Sequence, residues 1–153
     1  MVTNEKQLLV EDLINDPNFD SNKYEGYIYL TTCLITGRKY LGKKSFRHNL
    51  NKKLGKKELA NLPITRGRTP TTKKVTQDSK WADYYGSAEE IKQNLKNNGP
   101  KSMTRNVLRL CVSKKELTYY ENKYLFSYGV LEDSSVWIND NIEGRYFSKD
   151  FNK

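Results

Sequence analysis

The sequence predicts an α+β fold, a small and mainly antiparallel three-stranded sheet flanked by helices. Three observations lead to it. Two short runs with strand-like alternation, 27–31 and 39–42, are separated by the turn signal Thr36-Gly37 and read as a β-hairpin. Two later segments open on Ser-x-x-Glu, at Ser87 with Glu90 and at Ser113 with Glu116, a capping pattern that starts helices. Between them, residues 103–112 carry Leu108, Leu110 and Val112 at alternate positions, with Val107, Arg109 and Cys111 opposite. That partial alternation suits a third strand.

The elements follow in order. Segment 5–16 puts Leu8, Leu9, Val10, Leu13 and Ile14 mostly on one side, so a short amphipathic helix is expected there. It is acidic and should pack away from any phosphate-binding face. The hairpin occupies 26–42. A basic, helix-compatible segment begins near Ser45, and 60–78 reads as a long loop, a feature that in a compact domain is usually functional or mobile. The helix opened at Ser87 should end at Asn98-Gly99, and the one opened at Ser113 should run to Tyr128. No internal repeat is visible, so 1–153 is read as one domain with a basic insertion at about 43–78.

Composition narrows the function classes. A hydrophobic content of 36% argues against wholesale disorder. No run approaches the roughly 20 apolar residues that span a bilayer, and the first residues lack a signal-peptide layout. Cys33 and Cys111 are isolated and without metal-type spacing, which suits reduced core residues in a cytoplasmic protein. The net charge is +9, and its distribution is uneven. Between Arg38 and Lys74 stand 13 Lys and Arg against one acid, Glu58. Such a surface fits a polyanion. An anionic membrane would also suit it, but Pro63, Gly67 and Pro70 interrupt any amphipathic helix there, so nucleic acid is favoured. Arg66, Arg68, Lys73 and Lys74 are expected to bind its backbone.

The chemistry-bearing candidates lie at the hairpin and on the last helix. Tyr29 and Tyr40 sit on its two strands directly before the basic run; phenols there suit phosphate chemistry or amphipathic packing. In the helix after Ser113, Leu117, Tyr120, Tyr124, Leu125 and Tyr128 form one stripe, and Glu121 falls in its middle. A carboxylate on that face needs a basic partner or a hard cation such as Mg²⁺.

Tyr27-Ile28-Tyr29 and Tyr40-Leu41-Gly42, ten residues apart, resemble the paired motifs of the GIY-YIG nuclease superfamily, with one departure: Tyr27 stands where the family has glycine, and Gly26 precedes it. The order of capped helix, Gly99, third strand and Glu121 is similar to that family too, so the resemblance spans roughly 24–141. It implies Glu121 as the ligand of Mg²⁺ (or Mn²⁺). It also implies Tyr29 as general base, made more acidic by nearby cations, and Tyr40 as the group that positions water or phosphate. Tyr85 (or Tyr84) and Asn139 (or Asn141) would orient the site. The position of the family arginine holds Leu50 here, so Arg47, with Lys44 and Lys52 as substitutes, is expected to supply the cation, together with Lys43 after Gly42.

Other nuclease chemistries fit less well. His48 is the only histidine, which excludes histidine-rich metal centres. Glu121-Asn122-Lys123 imitates the Glu-x-Lys half of another nuclease class, but on a helix Lys123 points away from Glu121. No P-loop pattern is present. The expectation is therefore a metal-dependent endonuclease acting on double-stranded DNA, of the small phage-borne type, with a homo-oligomer compatible. The alternative is a non-catalytic nucleic-acid-binding protein that keeps the fold.

Overall fold

The computed structural model describes residues 7–63 and 67–152. Its sheet is antiparallel and three-stranded. Numbered along the chain, β1 (Gly26–Cys33) and β2 (Lys39–Ser45) form the hairpin. A separate two-stranded ribbon, β3 (Arg47–Lys53) with β4 (Thr72–Asp78), comes next, and β5 (Met103–Cys111) completes the sheet in the order β2-β1-β5. The hairpin register opposes Tyr29 to Gly42 and Thr31 to Tyr40. Two short strands, β6 (Asn141–Ile142) and β7 (Tyr146–Phe147), close the chain.

Because side chains alternate across a strand, the register divides the sheet into two faces. Tyr27, Tyr29, Thr31, Tyr40, Gly42 and Lys44 share one face. Ile28, Leu30, Leu41 and Lys43 share the other. On the first, Tyr27 and Tyr29 are buried with Phe46, Val10, Leu13 and Val107, edged by Phe19, Trp81 and Tyr84. On the second, Ile28 and Leu41 pack with Leu117 and Leu125 of the last helix. β5 serves both cores because a bulge lies opposite Ile28 and Tyr29, pairing them with Arg109 and Val107 and leaving Leu108 unopposed. The bulge moves Val107 and Leu110 to one face and Leu108 and Cys111 to the other. The incomplete alternation in the sequence is the trace of that bulge.

Among the described residues there are four α-helices: α1 (Val10–Asn15), α3 (Glu89–Asn98) and α4 (Lys114–Ser127) flank the sheet, and the exposed α2 (Lys56–Ala60) lies between the two strands of the ribbon. Several expectations need correction. The N-terminal helix starts at Val10; residues 5 and 6 lie outside the described residues. Leu8 and Leu9 instead extend the free edge of β5, with the Val107 amide donating to the Leu8 carbonyl at 2.7 Å and Leu9 bridging Asn106. A backbone paired to a strand edge cannot enter a helix. The segment after Ser45 is strand, not helix, and 60–78 is not a loop throughout, since Thr72–Asp78 pairs with it. Both faces of that ribbon are largely solvent-facing, so no hydrophobic alternation announced it. α3 starts at Glu89 with Ala88 at its N-cap, and the Ser87 hydroxyl caps nothing. α4 does begin as the sequence suggests, with Ser113 Oγ accepting from the Glu116 amide at 3.1 Å.

Candidate active site

The candidate site is built along the outer edge of β2. Lys39 pairs there with the segment around Trp137: its amide donates to the Val136 carbonyl at 2.8 Å, and the Ile138 amide donates to its carbonyl at 2.7 Å. At Leu41 a side chain takes over from the backbone. Asn139 Oδ1 accepts from the Leu41 amide at 3.0 Å, and Asn139 Nδ2 donates to the Leu41 carbonyl at 2.8 Å. The buried Asn139 thus acts as one more residue of a strand, and both halves of its amide are used.

One step further, at Lys43, α4 arrives. Lys43 Nζ lies 3.8 Å from Glu121 Oε1 and donates to Thr118 Oγ1 at 2.9 Å. Glu121 comes to this edge because Leu117 and Leu125, one turn to either side of it, are buried against Ile28 and Leu41. Its side chain is 21% exposed. Burial pushes its carboxyl above the ordinary carboxylate value, while the Lys43 ammonium and main-chain amide pull it partly back. Between β2, the start of α3, α4 and the 138–143 segment opens a cavity of about 730 Å³, lined among others by Tyr40, Lys43, Ser87, Glu121, Asp140 and Glu143.

Tyr40 reaches this cavity from the opposite face of the sheet. Its hydroxyl lies 2.8 Å from Ser87 Oγ, and burial raises it above the usual phenol range. Ser87, expected as a helix cap, is thereby a partner of Tyr40.

Tyr29 does not reach the cavity. It is 2% exposed, sits edge-on to Tyr84 with ring centroids 5.9 Å apart, and lies against Gly42. Burial, with Tyr84 and Tyr40 nearby, raises its hydroxyl well above the usual value, so the expected acidification by cations is not what its surroundings produce. A Cβ at residue 42 would stand 2.5 Å from the Tyr29 hydroxyl oxygen and 2.8 Å from its Cζ. This contact accounts for the glycine of the second motif. Gly42→Ala is expected to cost about 1–3 kcal/mol through overpacking. Urea denaturation checks this, and a loss below about 0.5 kcal/mol would mean that the Tyr29 ring has room to retreat. Gly26 is needed for a similar reason, because a Cβ there would run into the Lys44 carbonyl oxygen. Tyr27, at the family's glycine position, is fully buried beside Phe46 and Trp81.

Other expected residues lie apart from the cavity. Arg47 is not among its lining residues: it donates to the carbonyls of Ser21 and Tyr24, both at 2.9 Å, and ties the root of the ribbon to the domain. Among the described residues, that leaves Lys43 as the cation brought to Glu121. Lys44 lies over the Tyr84 ring at 4.1 Å, and Lys52 is on the exposed ribbon. The Tyr85 ring is covered by the Arg105 guanidinium at 4.0 Å, and Tyr84 is the neighbour of Tyr29. Asn141 lines the cavity, donating to Asp140 Oδ1 at 2.7 Å. Of the expected phosphate-binding residues, Arg66 lies outside the described residues, Lys73 is ion-paired with Glu58, and Arg68 and Lys74 are exposed.

The sequence reading passed over Arg105. It is 2% exposed, donates to the carbonyls of Ala82 and Tyr84 at 2.8 and 3.0 Å, and pairs with Glu11 at 2.8 Å. A signal was present, since Arg105 alternates with Met103 and Val107 on the buried side of a strand, as Glu121 interrupts the stripe of α4.

No helix among the described residues is long and apolar enough to cross a membrane, and among them no three His, Cys, Asp or Glu side chains gather as a metal cluster. The carboxylates that could hold a cation are those on the cavity wall, Glu121 beside Lys43, with Asp140 and Glu143 elsewhere on it. Hard oxygen ligands, few in number and open to water, fit Mg²⁺, which binds through one or two carboxylates and keeps several waters.

The family described as "Putative endonuclease segE, GIY-YIG domain" matches residues 12–142. The chain belongs to the GIY-YIG family. No curated protein and no solved structure matches it. The GIY-YIG match covers the whole three-stranded sheet, the ribbon, and α4 with Glu121. It makes this chain a nuclease domain, with a nucleic acid as its general class of substrate.

Proposed function

We propose that the chain is a divalent-metal-dependent endonuclease that hydrolyses phosphodiester bonds of double-stranded DNA. The observation that carries this reading is Glu121, a carboxylate brought by α4 onto the wall of a polar cavity beside Lys43. Glu121 would hold one Mg²⁺ or Mn²⁺, which when bound supplies Lewis-acid stabilisation of the scissile phosphate and the leaving oxygen.

The remaining roles belong to side chains of the cavity. The Lys43 ammonium, fixed by Thr118, neutralises charge developing on a phosphate oxygen. Tyr40 acts as general base in its phenolate form, its own proton having gone to solvent: with the Ser87 hydroxyl donating to it, the phenolate accepts one proton from the attacking water and becomes the neutral phenol. Asn139 is a positioning residue, since it fixes Leu41 between Tyr40 and Gly42. Tyr29 packs beneath the site and keeps its proton. Both cysteines are unpaired and buried, which suits a reducing cytoplasm, including that of a phage-infected host.

Incubation with supercoiled plasmid tests the function. Nicked or linear product with Mg²⁺ and none with EDTA supports it; plasmid bound but never cut would favour the non-catalytic alternative. Tyr40→Phe is expected to slow cleavage by ~10²–10⁴-fold, the usual contribution of a general base. Tyr29→Phe should slow it less than about tenfold. Single-turnover rates decide between them, and the reverse order would return the base role to Tyr29.

A further inference from the structure

The ribbon of β3 and β4 carries a two-sided pattern that the nuclease reading does not use. Residues directly opposite each other in an antiparallel pair share a face. The register opposes Asn49 to Thr76, Asn51 to Lys74 and Lys53 to Thr72, so these six side chains lie together. Thr76 Oγ1 donates to Asn49 Oδ1 at 3.0 Å, as residues on one face should. All six are exposed, none is apolar, and neither Lys53 nor Lys74 is in an ion pair among the described residues. The opposite face differs. It holds Leu50 against Val75 and Lys52 against Lys73, and Lys73 is bound by Glu58 of α2. One face is thus partly apolar and partly neutralised, while on the other, beyond Arg47 and Asp78 at its root, these six present only amide, hydroxyl and ammonium groups.

We infer that the Asn49–Asn51–Lys74 face is a reading surface that lies in the major groove of B-form DNA and gives the nuclease a sequence preference. This rests on the reading of the chain as a nuclease of duplex DNA. The B-form major groove, about 12 Å wide, admits a two-stranded ribbon, whose strands stand ~4.8 Å apart. Asparagine pairs with adenine edges, lysine with guanine edges, and the threonine methyl with that of thymine, so this face is stocked for base edges and not only for phosphates. The deep, narrow major groove of A-form RNA excludes such a ribbon.

The ribbon is also aimed. Its root is held where Arg47 grips the carbonyls of Ser21 and Tyr24, and where the Ser79 amide donates to the Phe46 carbonyl at 3.0 Å. Phe46 is fully buried and directly follows β2, the strand that carries Tyr40 and Lys43. Strands of seven residues extend about 20 Å, the length of about six base pairs of groove.

The test is selection of randomised B-form duplexes by the full chain in EDTA, where no metal-dependent cutting occurs. The expected result is an enriched block of about three to five base pairs containing A and G, with binding weakened when its guanine N7 atoms are methylated. Asn49→Ala and Asn51→Ala should each flatten the preference at one base pair by about tenfold, with a smaller loss of affinity for random duplex. Unchanged enrichment in both variants, indifference to N7 methylation, or equal binding of an A-form RNA duplex would overturn the inference. Plasmid cleavage in Mg²⁺ is read separately. A wild-type chain that selects but never cuts removes the nuclease reading and leaves the ribbon, whereas one that cuts without selecting removes the ribbon alone.

Discussion

Glu121→Gln is expected to lower Mg²⁺-dependent cleavage by about 10³-fold or more while leaving duplex binding nearly intact. Metal stabilisation of a phosphoryl transition state is worth several kcal/mol, and each ~1.4 kcal/mol is a factor of ten in rate. Glutamine keeps the shape of the side chain and loses the charge. Stability should move the other way. Burial raises the Glu121 carboxyl in the folded chain, so ionising it at neutral pH opposes folding. At pH 7 the Gln variant should melt no lower than wild type. Any gain should fade as the pH falls through the raised folded value toward the ordinary carboxylate value, where Glu121 is itself protonated. Melting curves at several pH values check the sign; a large drop in melting temperature at pH 7 would mean that the Lys43 pair outweighs burial. The wild-type rate should rise with pH through the same window.

Arg105→Met is expected to have the largest effect on stability, about 2–4 kcal/mol. Methionine fills much of the volume but cannot donate to the carbonyls of Ala82 and Tyr84, and an unsatisfied buried polar group costs about 1–3 kcal/mol. The aromatic segment that Arg105 holds also leads to Ser87, so cleavage should fall with stability. Arg105→Lys should recover less than half of the loss, since an ammonium cannot reproduce the planar fork or the stacking on Tyr85. Urea midpoints at equal slope measure both variants. A loss below about 1 kcal/mol for methionine would show that the 81–85 segment is held by its packing alone.

Much of the fold was legible because burial leaves a periodic mark. The β1–β2 hairpin was readable from its alternation and from Thr36-Gly37, and α4 from its Ser113 cap and its apolar stripe. Glu121 stood out because a carboxylate interrupts that stripe, a local conflict of the kind that marks functional sites. What escaped reading had no such mark. The ribbon buries almost nothing, so its strands were hidden among lysines, and only the β-branched run Thr71-Thr72 to Val75-Thr76 hinted at extended chain. The start of α1 was set by a strand edge that lies about a hundred residues away in the chain. Arg47 and Ser87 went to partners that spacing could not show, one to main-chain carbonyls and the other to Tyr40. Tyr29 and Tyr40 share a face, but Tyr29 stands on the central strand and Tyr40 on the edge strand, so Tyr40 lines the cavity with Glu121 and Tyr29 does not, a difference that the motif spacing concealed.

The claim on which the account rests is that Glu121 holds the divalent cation. Mn²⁺ binding measured by electron paramagnetic resonance, on the full chain with a nuclease-resistant duplex, tests it without relying on cleavage. The account predicts that wild type removes Mn²⁺ from the free signal and that Glu121→Gln, equally folded and equally bound to the duplex, does not. Equal Mn²⁺ uptake by the two proteins would contradict it.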